Sequence, residues 1–453
     1  SGPGELGSFS SFSTAWLEAR LPGESLAASP RPSSWAPSAW LLPFTRASIG
    51  DFEPTNVDGD PERGLISLRF GADALLTAGP WTLHARPILG GDVLGVTPAA
   101  GVSSPEAWLG FQGRYLEAGF GRKSRWIGPG RLGALLLSTN ALAPPMGTVA
   151  GQGRLPGALD RLGRLRFETS AGWADQERGD VDDPGILLMD LRWAPIPLVE
   201  FGATRLEMFG GRGRPLPSLG ELLLPTSPHV YDDPDKVLPD QNDLASLDFR
   251  VCLPLSSWET GRWRYVEAWW QYGAEDIIAR RWAGIPYPSL AGVANLLGAE
   301  AMWRDFGLTV EFARIFDDYY RWYTRHRIYQ EGFTQDGRVM GHQIGGDAES
   351  LAFRARWLPL PWMIEAWHER VLRVGVIESL GPHLFALASD ETHLRQGVSL
   401  RRLTHGGGDA SLAWELDLVR GADFVPDARR VDQRVTLSWT AGGVVTRGGV
   451  GSR

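Results

Sequence analysis

The densest chemistry in the chain is the stretch DDYYRWYTRHRIYQEGFTQDGRVMGHQIGGDAESL, Asp317 to Leu351. Tyr319, Tyr320, Trp322 and Tyr323 are interleaved there with Arg321, Arg325, His326 and Arg327, and Arg338, His342 and Asp347 follow. Aromatic faces stack on the C–H groups of a sugar ring, while planar guanidinium groups hold hydroxyls and uronates. Carbohydrate is the ligand these residue types suit. The plainer alternative is a loop whose rings pack on one another and whose arginines pair with Asp317, Asp318 and Glu331.

Other groupings are weaker. His342, Asp347 and Glu349 sit close enough in sequence for a metal or an acid–base pair, but a single His beside carboxylates in a turn is more often an ordinary hydrogen-bonding group. A glycan-cleaving pair would come from Glu275, Asp276, Asp347 and Glu349 set roughly 5 to 10 Å apart. The acidic stretches VDGDPERG and VYDDPDK lack the spacing and terminal Glu of an EF-hand. The stretch GRKSRWIGPGRLGALLLSTNALAPP (Gly121 to Pro145) has no Lys-Ser/Thr after its glycines, so it is no phosphate loop, and its apolar run is too short for a spanning helix. Motifs of hydrolases and dinucleotide enzymes are missing, so no catalytic residue and no cofactor are assigned.

Positioning such a cluster requires a scaffold, and the composition points to β-structure. The 453 residues include 20 Trp, 56 Gly and 32 Pro against 6 Met, a mixture of strand-forming aromatics and turn formers. Cys252 alone allows neither an internal disulfide nor a Cys-based zinc site. A net charge of −8 argues against a nucleic-acid partner.

Along the chain, segments of about ten residues alternate with period two. In SLRFGADAL, Leu68, Phe70, Ala72 and Ala74 oppose Ser67, Arg69, Gly71 and Asp73. RLRFETSAGW, SLDFRVCL, LLMDLRW, VEAWWQY, LAFRARW, LAWELDL and RVTLSW repeat the pattern, and Trp193, Trp357 and Trp439 close apolar faces. A soluble sandwich alternates too. The number of segments, enough for roughly 16 to 20 strands, the Trp at strand ends, and the contrast between tight connections such as WAPIPL and long polar ones such as Arg212 to Asp243 favour a transmembrane barrel instead. Charged faces then line the lumen, since each Arg or Lys on the lipid face costs about 2–4 kcal/mol at midplane.

Several blocks together resemble the capsule assembly protein Wzi family: RWIGPGRLGALLLSTNALAPP, QNDLASLDFRVCLP, QYGAEDIIARRWAGIPYPSLAGVANLLGAE and YYRWYTRHRIYQEGFTQDGRVMGHQIGGDAESL, in that order from Arg125 to Leu351. The resemblance implies an all-β, antiparallel outer-membrane barrel of eighteen strands with short periplasmic turns and long extracellular loops. It implies a lectin that holds capsular or exported polysaccharide at the surface of a Gram-negative cell, without catalysis or cofactor. Arg125, Trp126, Asn140, Tyr319, Tyr320, Trp322, Arg325, His326, Arg338, His342 and Asp347 are the expected polysaccharide-binding residues. Expected organisation is an N-terminal segment 1–44, periplasmic or plugging, a barrel 45–440 and a tail 441–453. A monomer in contact with membrane lipid and lipopolysaccharide, reaching the outer membrane after loss of a signal peptide, completes the expectation. The rival functions are a porin or glycan export channel and a glycan-active enzyme.

Overall fold

The computed structural model describes residues 38–51, 65–93, 99–155, 157–175, 177–223, 241–255, 263–282, 285–315, 322–324, 326, 328–359, 361–381, 384–387, 389–403, 408–441 and 444–447. The alternating segments form one sheet. Its strands are β1 (Ser38–Gly50), β2 (Ile66–Ala78), β3 (Trp81–Ala85 continued by Ile88–Val93), β4 (Ala99–Ser103 continued by Ala107–Gln112), β5 (Leu116–Arg122) and β6 (Pro145–Arg154). Next come β7 (Arg164–Trp173), β8 (Gly185–Ile196), β9 (Val199–Phe209), β10 (Gln241–Pro254), β11 (Trp263–Trp282) and β12 (Ile285–Trp303). The last are β13 (Phe306–Ile315), β14 (Ala348–Trp357), β15 (Trp362–Arg373), β16 (Glu391–Leu403), β17 (Asp409–Arg420) and β18 (Arg429–Thr440 continued by Val444–Arg447).

Each strand pairs antiparallel with the next, and β18 returns to β1, with Phe44 opposite Thr440 and Ile49 opposite Val435. The sheet is therefore a closed antiparallel barrel of 18 strands. Closure matters because backbone groups facing lipid have no water to bond, and only a ring leaves no edge.

The alternation resolves into an inside-out polarity. On β2, Leu68 and Phe70 face outward at 42% and 53% exposure, whereas Ser67, Arg69 and Asp73 are buried inward. On β11, Trp270 points out while Glu267, Trp269 and Gln271 point in. Charges gathered in the lumen neutralise one another: Arg69 meets Asp92 at 2.9 Å, Arg356 meets Glu300 at 2.6 Å, and Arg192 lies 2.9 Å from Asp190 and 2.7 Å from Asp248.

The longest connections and the tightest turns fall at opposite ends of the barrel. Turns such as Gly79–Pro80 and Arg304–Asp305 gather at one end. At the other end the chain makes its long excursions, 123–144 between β5 and β6 and 316–347 between β13 and β14. Trp81, Trp193, Trp303, Trp357, Trp362 and Trp439 all lie outward at the short-turn end, the level at which amphipathic rings settle between hydrocarbon and water. Two arginines reach to that belt, Arg304 over Trp303 and Arg402 over Trp362.

Candidate functional site

The two long excursions turn back into the barrel and pack on each other. Ser138 donates its backbone N–H to the Met340 carbonyl at 2.8 Å, the Asn140 side-chain amide donates to the Val339 carbonyl at 2.9 Å, and Arg338 donates to the Asn140 carbonyl at 3.2 Å. The Tyr323 hydroxyl donates to the Leu135 carbonyl at 2.5 Å and accepts from the backbone N–H of His342 at 3.0 Å. Blocks far apart in the sequence thus form one plug.

Inward side chains hold this plug to the wall. Glu311 on β13 accepts backbone N–H groups of Arg131, Leu132 and Gly133 at 2.8, 3.1 and 3.0 Å, and the Trp269 indole N–H at 2.9 Å. Gln271 on β11 accepts from the Leu135 N–H at 3.0 Å and donates to the Ile127 carbonyl at 3.3 Å. Arg131 meets Glu267 at 2.6 Å. Anchoring a turn of bare N–H groups on a carboxylate satisfies donors that would otherwise be buried unpaired.

Packing does the remainder. Leu135 and Leu136 are fully buried and belong to one apolar cluster with Trp322, Tyr323, Tyr329, Phe333 and the inward residues Ile186, Leu188, Leu206, Met208, Leu296 and Ile315. Toward the long-loop end the inner faces of β8, β9 and β13 therefore change from charged to apolar, where the plug needs a dry partner. Close approach also needs small residues. A Cβ on Gly133 would strike the His342 ring, and one on Gly273 would strike the Trp322 ring.

The expected site residues divide by position. Trp322, at 1% exposure, donates to the Gly292 carbonyl at 2.6 Å. His342 is as deeply buried, and burial pushes its pKa down to about 3, holding the imidazole neutral. Burial likewise raises the Tyr323 phenol. Asn140 is buried at the joint between the excursions. Arg125 is bound to the wall by Glu168 at 3.3 Å and Thr148 at 2.6 Å, and Trp126 donates to the Gly130 carbonyl at 2.8 Å. Arg338, Asp347 and His326 are half-buried, His326 stacked on Tyr329. Tyr319, Tyr320 and Arg325 lie outside the described residues, as do VDGDPERG and VYDDPDK.

The structure thus brings Trp322, His342, Asn140 and Arg338 together in the plug and sets Arg125 and Trp126 along its entry. Glu311, Gln271 and Arg131 were not legible as anchors, because Glu311 resembles every other inward acid in an alternating strand. Beside the entry, a cleft opens between Lys123, Arg125, Leu137, Ser138, Pro144 and Met340.

Of the carboxylates considered for glycan cleavage, Glu275 and Glu349 lie on opposite faces of the wall, and the Asp276 side chain falls outside the described residues. Glu275 shares the inward face of Gln271, whereas Glu349 shares the outward face of Leu351. Among the described residues one cluster has metal-ligand proximity, Asp73, His84 and Glu106. There His84 Nδ1 lies 3.0 Å from Glu106, its Nε2 3.6 Å from Asp73, and Arg86 2.9 Å from Asp73. Arg86 supplies positive charge to these acids and the imidazole bridges them, which makes the cluster part of the paired luminal lining.

Comparison with known proteins places this architecture. The family model described as capsule assembly protein Wzi matches residues 68–358. Escherichia coli Wzi, an outer membrane protein involved in group 1 capsule assembly and a carbohydrate-binding β-barrel, superposes with a TM-score of 0.65 at 17% identity, covering 89% of this chain and 84% of that one. OprD of Pseudomonas aeruginosa superposes with a TM-score of 0.52 at 8% identity, covering 91% and 96%. No curated protein sequence matches the chain. With an 18-stranded barrel in hand and the family model spanning well over half the sequence, the chain belongs to the capsule assembly protein Wzi family.

Proposed function

We propose that this protein is a non-enzymatic lectin of the Gram-negative outer membrane that holds exported capsular polysaccharide at the cell surface. The observation that carries the reading is the plug. Two excursions from the long-loop end pack on each other inside the barrel, and His326, Arg338 and Asp347 of the second stay half-buried there. A barrel sealed by packed side chains suits holding a polymer at its rim better than passing one through.

Within this reading the residues have separate tasks. Trp322, His342 and Asn140 order the plug from inside. Arg338, Asp347 and His326, with Tyr319, Tyr320 and Arg325 of the same excursion, take the sugar, and Lys123, paired with Glu117 at 2.5 Å, lines the cleft with Arg125. Residence in the outer membrane brings the outward face into contact with lipid and lipopolysaccharide, and the closed ring is sufficient as a monomer.

An Arg325→Ala, Arg338→Ala double variant tests the site. It should insert normally, shown by heat-modifiable migration on a gel, yet lose most surface-retained glycan. Retention at the wild-type level would remove these residues from the site.

A further inference from the structure

We infer that the outward face of β15 to β18 carries a docking strip for a phosphorylated glycolipid of the outer leaflet, built on Arg370, Arg420 and Arg429. All three share the outward parity of lipid-facing residues. Arg370 lies on β15 with Trp362 and Ala366, Arg420 on β17 with Leu412 and Trp414, and Arg429 on β18 with Val431, Val435 and Leu437. All are exposed, and all lie toward the long-loop end.

Their register makes them unusual. Arg420 sits directly opposite Arg429, with Thr392 on the other side of Arg420. Arg370 lies one step further from the rim, opposite Leu394, two strands and so about 10 Å from Arg420's strand. Like charges directly opposite on a sheet destabilise it, and none of the three arginines forms an ion pair with a described residue. Of the acids in the connection between β17 and β18, Asp423 is engaged by Arg430 at 3.4 Å, and Asp427 is exposed and forms no ion pair with a described residue.

Two other outward arginines among the described residues are compensated. Arg314 faces Glu349 across β13 and β14, and Arg402 at the short-turn end lies over the Trp362 ring at 5.4 Å. Below the rim row of Arg420 and Arg429, the row of Arg370 continues through Leu394, Leu418 and Val431, the next mixes His368, Gln396 and Gln433 with Leu416, and Val398, Trp414 and Val435 lie deeper in the apolar band. A lipid-face arginine costs little near the interface and much at midplane. The strip therefore lies at headgroup depth, where paired guanidinium groups about one strand spacing apart match phosphate oxygens.

Binding of bis-phosphorylated lipid A to the detergent-purified full chain, followed by native mass spectrometry, tests this independently of any polysaccharide. The wild type and an R402Q control should favour bis-phosphorylated lipid A over the same glycolipid without phosphates. The R370Q/R420Q/R429Q variant should lose affinity on the order of 100-fold. Should that variant fail the heat-modifiability check, R420Q and R429Q singly decide the matter, each with a several-fold loss, while R420K retains binding. Unchanged affinity in the folded variants, equal binding of the phosphate-free lipid, or displacement by millimolar inorganic phosphate alone would overturn the assignment.

Discussion

The plug is held by a few polar atoms whose contributions can be separated. Glu311 gathers three backbone N–H groups and one indole N–H, and hydrogen bonds to a charged acceptor contribute about 1.5–3 kcal/mol each at most. Glu311→Gln keeps one acceptor oxygen and loses the charge, so amides near residues 131–135 should exchange hydrogen at least ~10-fold faster. An unchanged rate would show that packing alone holds the turn. His342 adds a pH dependence. Its pKa falls from 6.5 to about 3 because the ring is buried, and its Nδ1 already faces the Ile344 N–H, which leaves no acceptor for a second proton. The unfolded plug thus binds that proton more tightly than the folded one. The neutral-ring stability is complete above about pH 6.5 and is lost as pH falls toward 3. Protection factors in the plug should decline over that window, and His342→Gln should flatten the decline.

At the scale of elements, the glycines of the plug interface show how tightly strand and excursion are fitted. Gly273 on β11 faces the Trp322 ring, which the Gly292 carbonyl holds in place. Gly273→Ala should therefore destabilise by about 1–3 kcal/mol, read as a lower unfolding midpoint, whereas Gly101→Ala on β4, which meets open space, should be silent. The strands themselves were legible because period two is local: Leu68, Phe70 and their inward partners Arg69 and Asp73 fall as their alternation requires. The plug was legible only as two conspicuous stretches. What joins them is a contact such as Asn140 to Val339, 199 residues apart, and no local pattern encodes that pairing. One sign was available in LLMDLRW, where Leu188 precedes Asp190 on the same face and marks the level at which the lining turns apolar. Trp322 reads as a sugar-stacking ring from its neighbours, but its burial depends on the distant apolar run at Leu135.

For the whole molecule, the inverted polarity and the plug together decide what can cross it. An 18-stranded barrel lined by ion pairs would conduct if its lumen were clear. Here the excursion from Arg125 to Asn140 reaches across, contacting β6 and β7 through Thr148 and Glu168 and β11 and β13 through Gln271 and Glu311. Purified protein in planar bilayers should accordingly show only small conductance. Replacing residues 126–140 with a short Gly/Ser linker removes the leucines and the Glu311 latch together and should produce a large, steady open current, since the paired charges of the wall would then be hydrated. The shortened protein should still migrate as a heat-modifiable barrel, because the β18-to-β1 seam and the strand ladders do not involve the plug. A large open conductance in the intact chain would contradict a sealed lumen and turn the reading from a surface lectin toward a channel. Unchanged low conductance after the replacement would instead assign closure to the excursion between β13 and β14, whose Trp322, Tyr323 and Phe333 remain buried in the same cluster.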